Sequence, residues 1–207
     1  MQNTHFSALG RYFVFWTFIV MLSLAGCNGG CTDKKAADAE PATSNLKETT
    51  MKLTSTAFNH GKPIARKYTG EGTDVSVPLT WSGVPDGTIE LALICDDPDA
   101  PRPEPWVHWV IYKIPAAATG LSEGLPRQKR LETPSGVLQG VNSWPSDNVG
   151  YRGPMPPPGH GVHHYHFRLY ALDTALLVEP GLSKDKLLAA MAGHIICLLY
   201  TSDAADE

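Results

Sequence analysis

The sequence predicts a mostly β fold with one small helical element near the C-terminus. Seventeen Pro and 19 Gly in 207 residues favour many short elements joined by turns, because Pro removes a backbone donor and Gly weakens a helix interior. Apolar runs of strand length recur through the middle of the chain, whereas only one stretch has helical spacing. A composition of 43% hydrophobic and 18% charged residues supplies one core of ordinary domain size and excludes a globally disordered chain. The net charge is −4 with no basic run, which argues against nucleic acid as a partner and against a membrane held by electrostatics alone.

The N-terminal segment reads as an address. Arg11 precedes an apolar stretch, residues 12–26, that stops at Cys27. The stretch is shorter than the roughly 20 residues that span a bilayer, and it has the basic-then-apolar form of an export signal ending in small residues. Leu24-Ala25-Gly26-Cys27 resembles the lipobox of bacterial lipoprotein signal peptides. The resemblance implies removal of residues 1–26 and lipidation of Cys27 with several acyl chains, since a single chain anchors only marginally. An ordinary cleaved signal is the alternative. Asn28 in place of Asp implies, by the same resemblance, the outer membrane of a bacterial cell envelope, with the protein facing the periplasm. Residues 27–50 are small, polar and charged without periodicity and read as a flexible tether.

The globular part begins near Met51. Residues 75–81 alternate and lead to the turn Val84-Pro85-Asp86-Gly87-Thr88; residues 89–95, 106–114 and 164–172 are further strand candidates. Residues 183 to about 195 read as a helix, with Ser183 as N-cap and Leu187, Leu188 and Met191 at helical spacing.

Three constellations could carry chemistry. Asp96-Asp97-Pro98-Asp99-Ala100-Pro101 follows an apolar strand; its plain reading is an acidic turn. In Trp106-Val107-His108-Trp109 a strand period of two puts Trp106 and His108 on one face and Val107 and Trp109 on the other. The third runs from Val149 to Phe167, a stiff Gly/Pro loop feeding a strand in which His163 and Tyr165 share one face and His164 and His166 the other. Four His within residues 160–166 invite a metal, but alternation divides them and no Cys pair or His-Glu partner stands at ligand spacing. Neither a metal nor a cofactor is expected.

At these residues the chain becomes recognisable. Asp97-Pro98-Asp99-Ala100-Pro101, then Trp106-Val107-His108-Trp109, then Gly153-Pro154 with residues 157–165, resembles the two signature blocks of the phosphatidylethanolamine-binding protein (PEBP) family, and within it the bacterial Raf-kinase-inhibitor-like branch. The likeness covers residues 51–195 with its blocks in order. It implies a two-sheet β fold and a small pocket for anions such as phosphate, acetate or a phospholipid head group, lined by Asp97, Asp99, Pro101, Trp106, His108, Gly153, Pro154, His163 and Tyr165. His108 and His163 can donate or carry charge, the Tyr165 hydroxyl can donate, and the N–H near Gly153 can approach a phosphoryl oxygen. Asp97 and Asp99 would repel an anion, so they are assigned to holding His tautomers or accepting from an amine. Such a pocket should bind anions better as pH falls. Bacterial relatives usually carry Cys where this chain has Gly70 and Met155, so redox or metal ideas built on those positions do not transfer.

Residues 197–207 resemble a translated sequencing adapter and are read as a non-native tail. The domain is therefore expected to span residues 51–196, to lack its native last strand and to end loosely. Asp203, Asp206 and Glu207 lie in that tail, which leaves the rest of the chain close to neutral. The preferred function is a non-enzymatic binding module for a small anion or phospholipid head group, with a kinase or protease as a protein target and a homodimer as an allowed assembly. The alternative is a small hydrolase using Asp97 or Asp99 with His108 or His163 as an acid/base set. It lacks a convincing nucleophile, since Cys95 sits in an apolar strand and no elbow motif is present.

Overall fold

The computed structural model describes residues 51–146 and 148–206, the last seven of them by backbone alone. The export signal, Cys27 and the tether lie outside the described residues. Nine strands and one helix follow in order: β1 (Lys52–Thr54), β2 (Lys62–Pro63), β3 (Leu79–Ser82), β4 (Glu90–Asp97), β5 (Trp106–Pro115), β6 (Gly120–Leu121), β7 (Leu138–Gln139), β8 (His163–Leu172), α1 (Lys184–Met191) and β9 (Ile195–Asp206). They form a three-stranded sheet, β1-β3-β6, and a six-stranded sheet, β2-β9-β8-β4-β5-β7. All pairings are antiparallel except β2 with β9. The expected mostly β fold of two sheets with one short helix is the fold observed.

Strand β4 is buried at every position because both of its faces are covered, which is why it reads as a continuous apolar run. Leu91, Leu93 and Cys95 pack with Leu79 and Trp81 of the small sheet. Ala92 and Ile94 turn the other way, against Leu187 and Met191 of α1. Each large apolar side chain taken from water here contributes roughly 1.5–3 kcal/mol.

Four expectations shift. Residues 75–78 are not part of a strand, since Pro78 has no donor and Ser76 serves the loop beyond β6: its carbonyl accepts from Gly124 N at 3.0 Å and its hydroxyl from Leu125 N at 2.8 Å. The helix stops at Met191, short of residue 195, because Gly193 adopts a φ of 82° that reverses the chain, and His194 N donates to Met191 O at 3.0 Å.

The third concerns the tail. It is not loose; β9 pairs with β8 from Leu172↔Ile195 to His163↔Asp206, so the β structure continues past residue 196. A period of two explains the fit: Cys197 and Leu199 pack on the first core cluster, while Ile196 and Leu198 face outward.

The fourth is the face assignment in β5. Cys95 opposes Trp109 and Asp96 opposes Val107, so His108 is the extra residue of a β-bulge. Val107 therefore joins the cluster under α1 and Trp109 joins the core between the sheets. They do not share a face, because the bulge breaks the alternation.

The end of β4 is also tied to the helix. Asp96 is completely buried and takes Arg168 Nη1 on both oxygens at 2.7 and 2.8 Å and Lys184 Nζ at 2.5 Å. Ser183 caps α1 by accepting from Lys186 N at 3.4 Å. Removing one member of such a buried set leaves the others uncompensated. Asp96→Asn is expected to lower the unfolding free energy by about 3 kcal/mol, read from urea midpoints; an unchanged midpoint would contradict the role given to Asp96.

Candidate functional site

The antiparallel order brings the end of β4 and the starts of β5 and β8 to one edge of the large sheet, with Asp97 opposite Trp106 and Asp96 opposite His166. A cavity of about 480 Å³ opens there, within the size range of small-molecule sites. Six of the nine expected residues line it: Asp97, Pro101, Trp106, His108, His163 and Tyr165.

The floor is polar and buried. His163 is 1% exposed, and its Nδ1 lies 2.7 Å from Asp97 Oδ2. The second Asp97 oxygen accepts from Asp99 N at 2.8 Å, which shapes the turn after β4. His163 Nε2 is buried with no hydrogen-bond partner among the described residues. His108 Nδ1 lies 2.7 Å from the carbonyl of Arg152, and its ring meets Tyr165 edge-on at 5.0 Å and Trp144 at 5.1 Å. The expected split of the β8 histidines holds: His163 and Tyr165 face the cavity, whereas His164 pairs with Asp99 and His166 meets Arg168.

Asp99, Gly153 and Pro154 do not line the cavity. Asp99 Oδ2 accepts from both the backbone N and Nδ1 of His164, at 2.9 and 2.6 Å, on the exposed side of β8. The Gly153 N–H is already committed to Asp74 Oδ1 at 2.7 Å, so it does not reach toward a ligand. A Cβ at this glycine would come within 2.1 Å of Tyr68 O, which explains the residue type by space alone. The Pro154 carbonyl accepts from Gly70 N at 2.7 Å. Gly70 and Met155, the positions where the resemblance implies Cys in bacterial relatives, face each other: a Cβ on Gly70 would sit 3.0 Å from Met155 Cβ.

Sequence reasoning missed much of the wall. Trp144 and Arg102 line the cavity with Met155 and the adjoining prolines. Trp144 is set by local polar contacts: its N–H donates to Asn142 Oδ1 at 3.1 Å, and neighbouring Ser143 exchanges bonds of 2.8 and 2.9 Å with Val107. It stands edge-on to Trp106 at 5.2 Å. The Arg152 guanidinium lies 5.1 Å from the Trp144 ring and that of Arg102 5.0 Å from the Trp106 ring, both at cation–π range. Asp74 holds the Arg152 loop; its Oδ2 is 2.6 Å from Arg127 Nη2 and 3.0 Å from Arg152 Nε, the second an ion pair without hydrogen-bond geometry. Only the aromatic type of Trp144 and the Asn142 turn could have signalled this wall, since the residues lie far apart in sequence.

Burial pushes the His108 ring down to about 4, against the opposing effect of its bond to the Arg152 carbonyl. His108 therefore stays neutral between pH 5 and 8, so a gain of anion affinity with falling pH does not come from charge on this ring. Its effect on stability follows by linkage. The unfolded chain takes up this proton near 6.5 and the folded one only near 4, so the contribution is full above 6.5 and is lost as pH falls toward 4, by up to about 3 kcal/mol. Urea midpoints at pH 4.5 and 7.5 should differ less in His108→Gln than in the unsubstituted chain; an equal pH dependence would contradict a buried neutral ring.

Known proteins agree with this architecture. A family model described as phosphatidylethanolamine-binding protein matches residues 54–200. A UPF0098 protein of Methanothermobacter thermautotrophicus is 53% identical over 146 residues, covering 70% of this chain and 92% of the relative. A UPF0098 protein of Chlamydia muridarum is 39% identical over 150 residues, with coverage of 70% and 92%. Among solved structures, a PEBP homologue from Chlamydia trachomatis is 37% identical with a TM-score of 0.67, covering 77% of this chain and 98% of its own. The E. coli protein YbcL, described as a new member of the mammalian PEBP family, is 32% identical with a TM-score of 0.68 over 76% of this chain and 98% of its own. Sequence, strand order and structural neighbours converge, and the chain belongs to the phosphatidylethanolamine-binding protein family.

Proposed function

We propose that this chain is a non-enzymatic binding module whose cavity at the edge of the six-stranded sheet takes a small anion or phosphoryl group, a phospholipid head group included. The observation that carries this reading is the buried, unpartnered Nε2 of His163, held in place through Nδ1 by Asp97. In the protonated ring Nε2–H is a charged donor for an anionic oxygen, and Asp97 balances the charge from behind. The apolar walls of Trp106, Trp144 and Met155 exclude water and strengthen that contact.

In the wider reading this is a Raf-kinase-inhibitor-like domain carried on a lipid anchor at Cys27, in a bacterial cell envelope at the periplasmic side of the outer membrane. A kinase or protease is then a further target. Among the described residues the cavity lining contains no Ser or Cys, and burial holds the Cys95 thiol well above its ordinary range, which favours binding over hydrolysis by a covalent route.

Titration calorimetry of the full chain with inorganic phosphate is expected to show binding that weakens at least tenfold in His163→Ala, while phosphoesterase and esterase assays stay at background. Turnover that disappears in both His108→Ala and His163→Ala would replace the binding module with the hydrolase.

A further inference from the structure

Besides Tyr165, the ionisable side chains that line the cavity are Asp97, Arg102, His108 and His163. The floor alone offers an anion no excess of positive charge. Asp97 lies 2.7 Å from His163 Nδ1 and offsets whatever charge that ring holds, and burial keeps His108 neutral down to about 4. Among the described residues, the permanent positive charge on the lining is therefore the guanidinium of Arg102, a group that keeps its proton in proteins. Its place is set by the chain around it. Pro101 and Pro103 flank Arg102 and restrict the backbone, while its N–H donates to Ala100 O at 2.7 Å. The guanidinium lies 5.0 Å from the centre of the Trp106 ring, a contact that holds the cation without using its N–H donors. No ion pair or side-chain hydrogen bond of Arg102 is formed among the described residues. Arg152, its counterpart over Trp144, is instead tied to Asp74 at 3.0 Å.

We propose that Arg102 is the anion clamp of this cavity: its planar fork takes two unesterified oxygens on one ligand centre, so the class bound is phosphate and its mono- and diesters, the diester of a lipid head group included. This deepens the anion-binding reading above and rests on it. A guanidinium matches two oxygens of one anionic centre through parallel N–H donors, which a point charge such as an ammonium does not do. Each anionic oxygen can accept more than one hydrogen bond, so the clamp leaves the floor contact with His163 in place. Arg102 also offsets the negative charge of Asp97, the carboxylate on the same lining. Trp106 thereby has two tasks, as an apolar wall for the ligand's substituent and as the platform that holds the cation at the cavity.

The test is titration calorimetry of the full chain with inorganic phosphate and with dimethyl phosphate, the diester core of a head group. The two share the forked contact, and their relative affinity for the unsubstituted chain tells a lipid head group from free phosphate as its source. Arg102→Gln is expected to weaken both at least fivefold and to flatten the fall of affinity with added salt. Arg102→Lys keeps the charge without the fork and should stay at least threefold weaker than the unsubstituted chain. Lys129→Gln, which removes an equal charge from an exposed residue outside the cavity lining, should leave both affinities within twofold. A loss below fivefold in Arg102→Gln, an unchanged salt dependence, a loss of equal size in Lys129→Gln, or no binding of dimethyl phosphate overturns the clamp, and a lysine that restores binding to within threefold overturns its fork. Weakening in His163→Ala but not in Arg102→Gln overturns this proposal and leaves the anion site standing. Absence of binding by both ligands to the unsubstituted chain overturns both.

Discussion

Two adjacent carboxylates buried at the end of one strand organise this molecule. Asp96 and Asp97 close β4 and, as neighbours on a strand, point to opposite faces. A buried carboxylate is tolerated only when paired and hydrogen-bonded, so each face had to supply partners. On one side Arg168 and Lys184 converge on Asp96 and draw the start of α1 onto the sheet. On the other, Asp97 takes the ring of His163 and the N–H of Asp99. Those bonds set the orientation of the histidine and the course of the chain leaving the strand.

The site follows from the second of these arrangements together with a bulge. The extra residue in β5 turns His108 toward the cavity while Trp109 stays in the core, so three ring-bearing residues at 106, 108 and 109 all serve the same side of the sheet. The Arg152 carbonyl then settles which His108 nitrogen bears hydrogen, and Asp74 anchors the loop that supplies that carbonyl. None of the polar groups acts alone: Asp97 positions His163 and the Arg152 backbone positions His108, much as outer partners orient the ligands of a metal site.

Local patterns made four of the nine described strands, β3, β4, β5 and β8, visible in the sequence. The apolar run of β4 is buried on both faces, and alternation in β8 put His163 and Tyr165 on one shared face, which is the face that lines the cavity. The β5 faces were misread because one extra residue in a strand leaves no mark in composition. Gly153 carried the signature of a backbone that approaches something closely, which it does, but the neighbour is Tyr68 O and not a ligand. Trp144 and Arg102 reach the cavity from loops whose course depends on side-chain bonds between distant residues, a kind of information periodicity does not hold. The terminal strand was hidden by the foreign look of its residues, although Cys197 and Leu199 alternate as an inward face should.

The central claim is that buried polar partners fix the two cavity rings, the Arg152 carbonyl facing His108 Nδ1 and the Asp97 carboxylate facing His163 Nδ1. Long-range 1H–15N NMR of the histidine rings at pH 7 reads this directly. The His108 ring is expected to show a protonated Nδ1 and an unprotonated Nε2, unchanged down to pH 5, with its Nε2 resonance shifting on addition of phosphate. A His108 ring protonated at Nε2, or one that becomes doubly protonated between pH 7 and 5 without ligand, would contradict the claim.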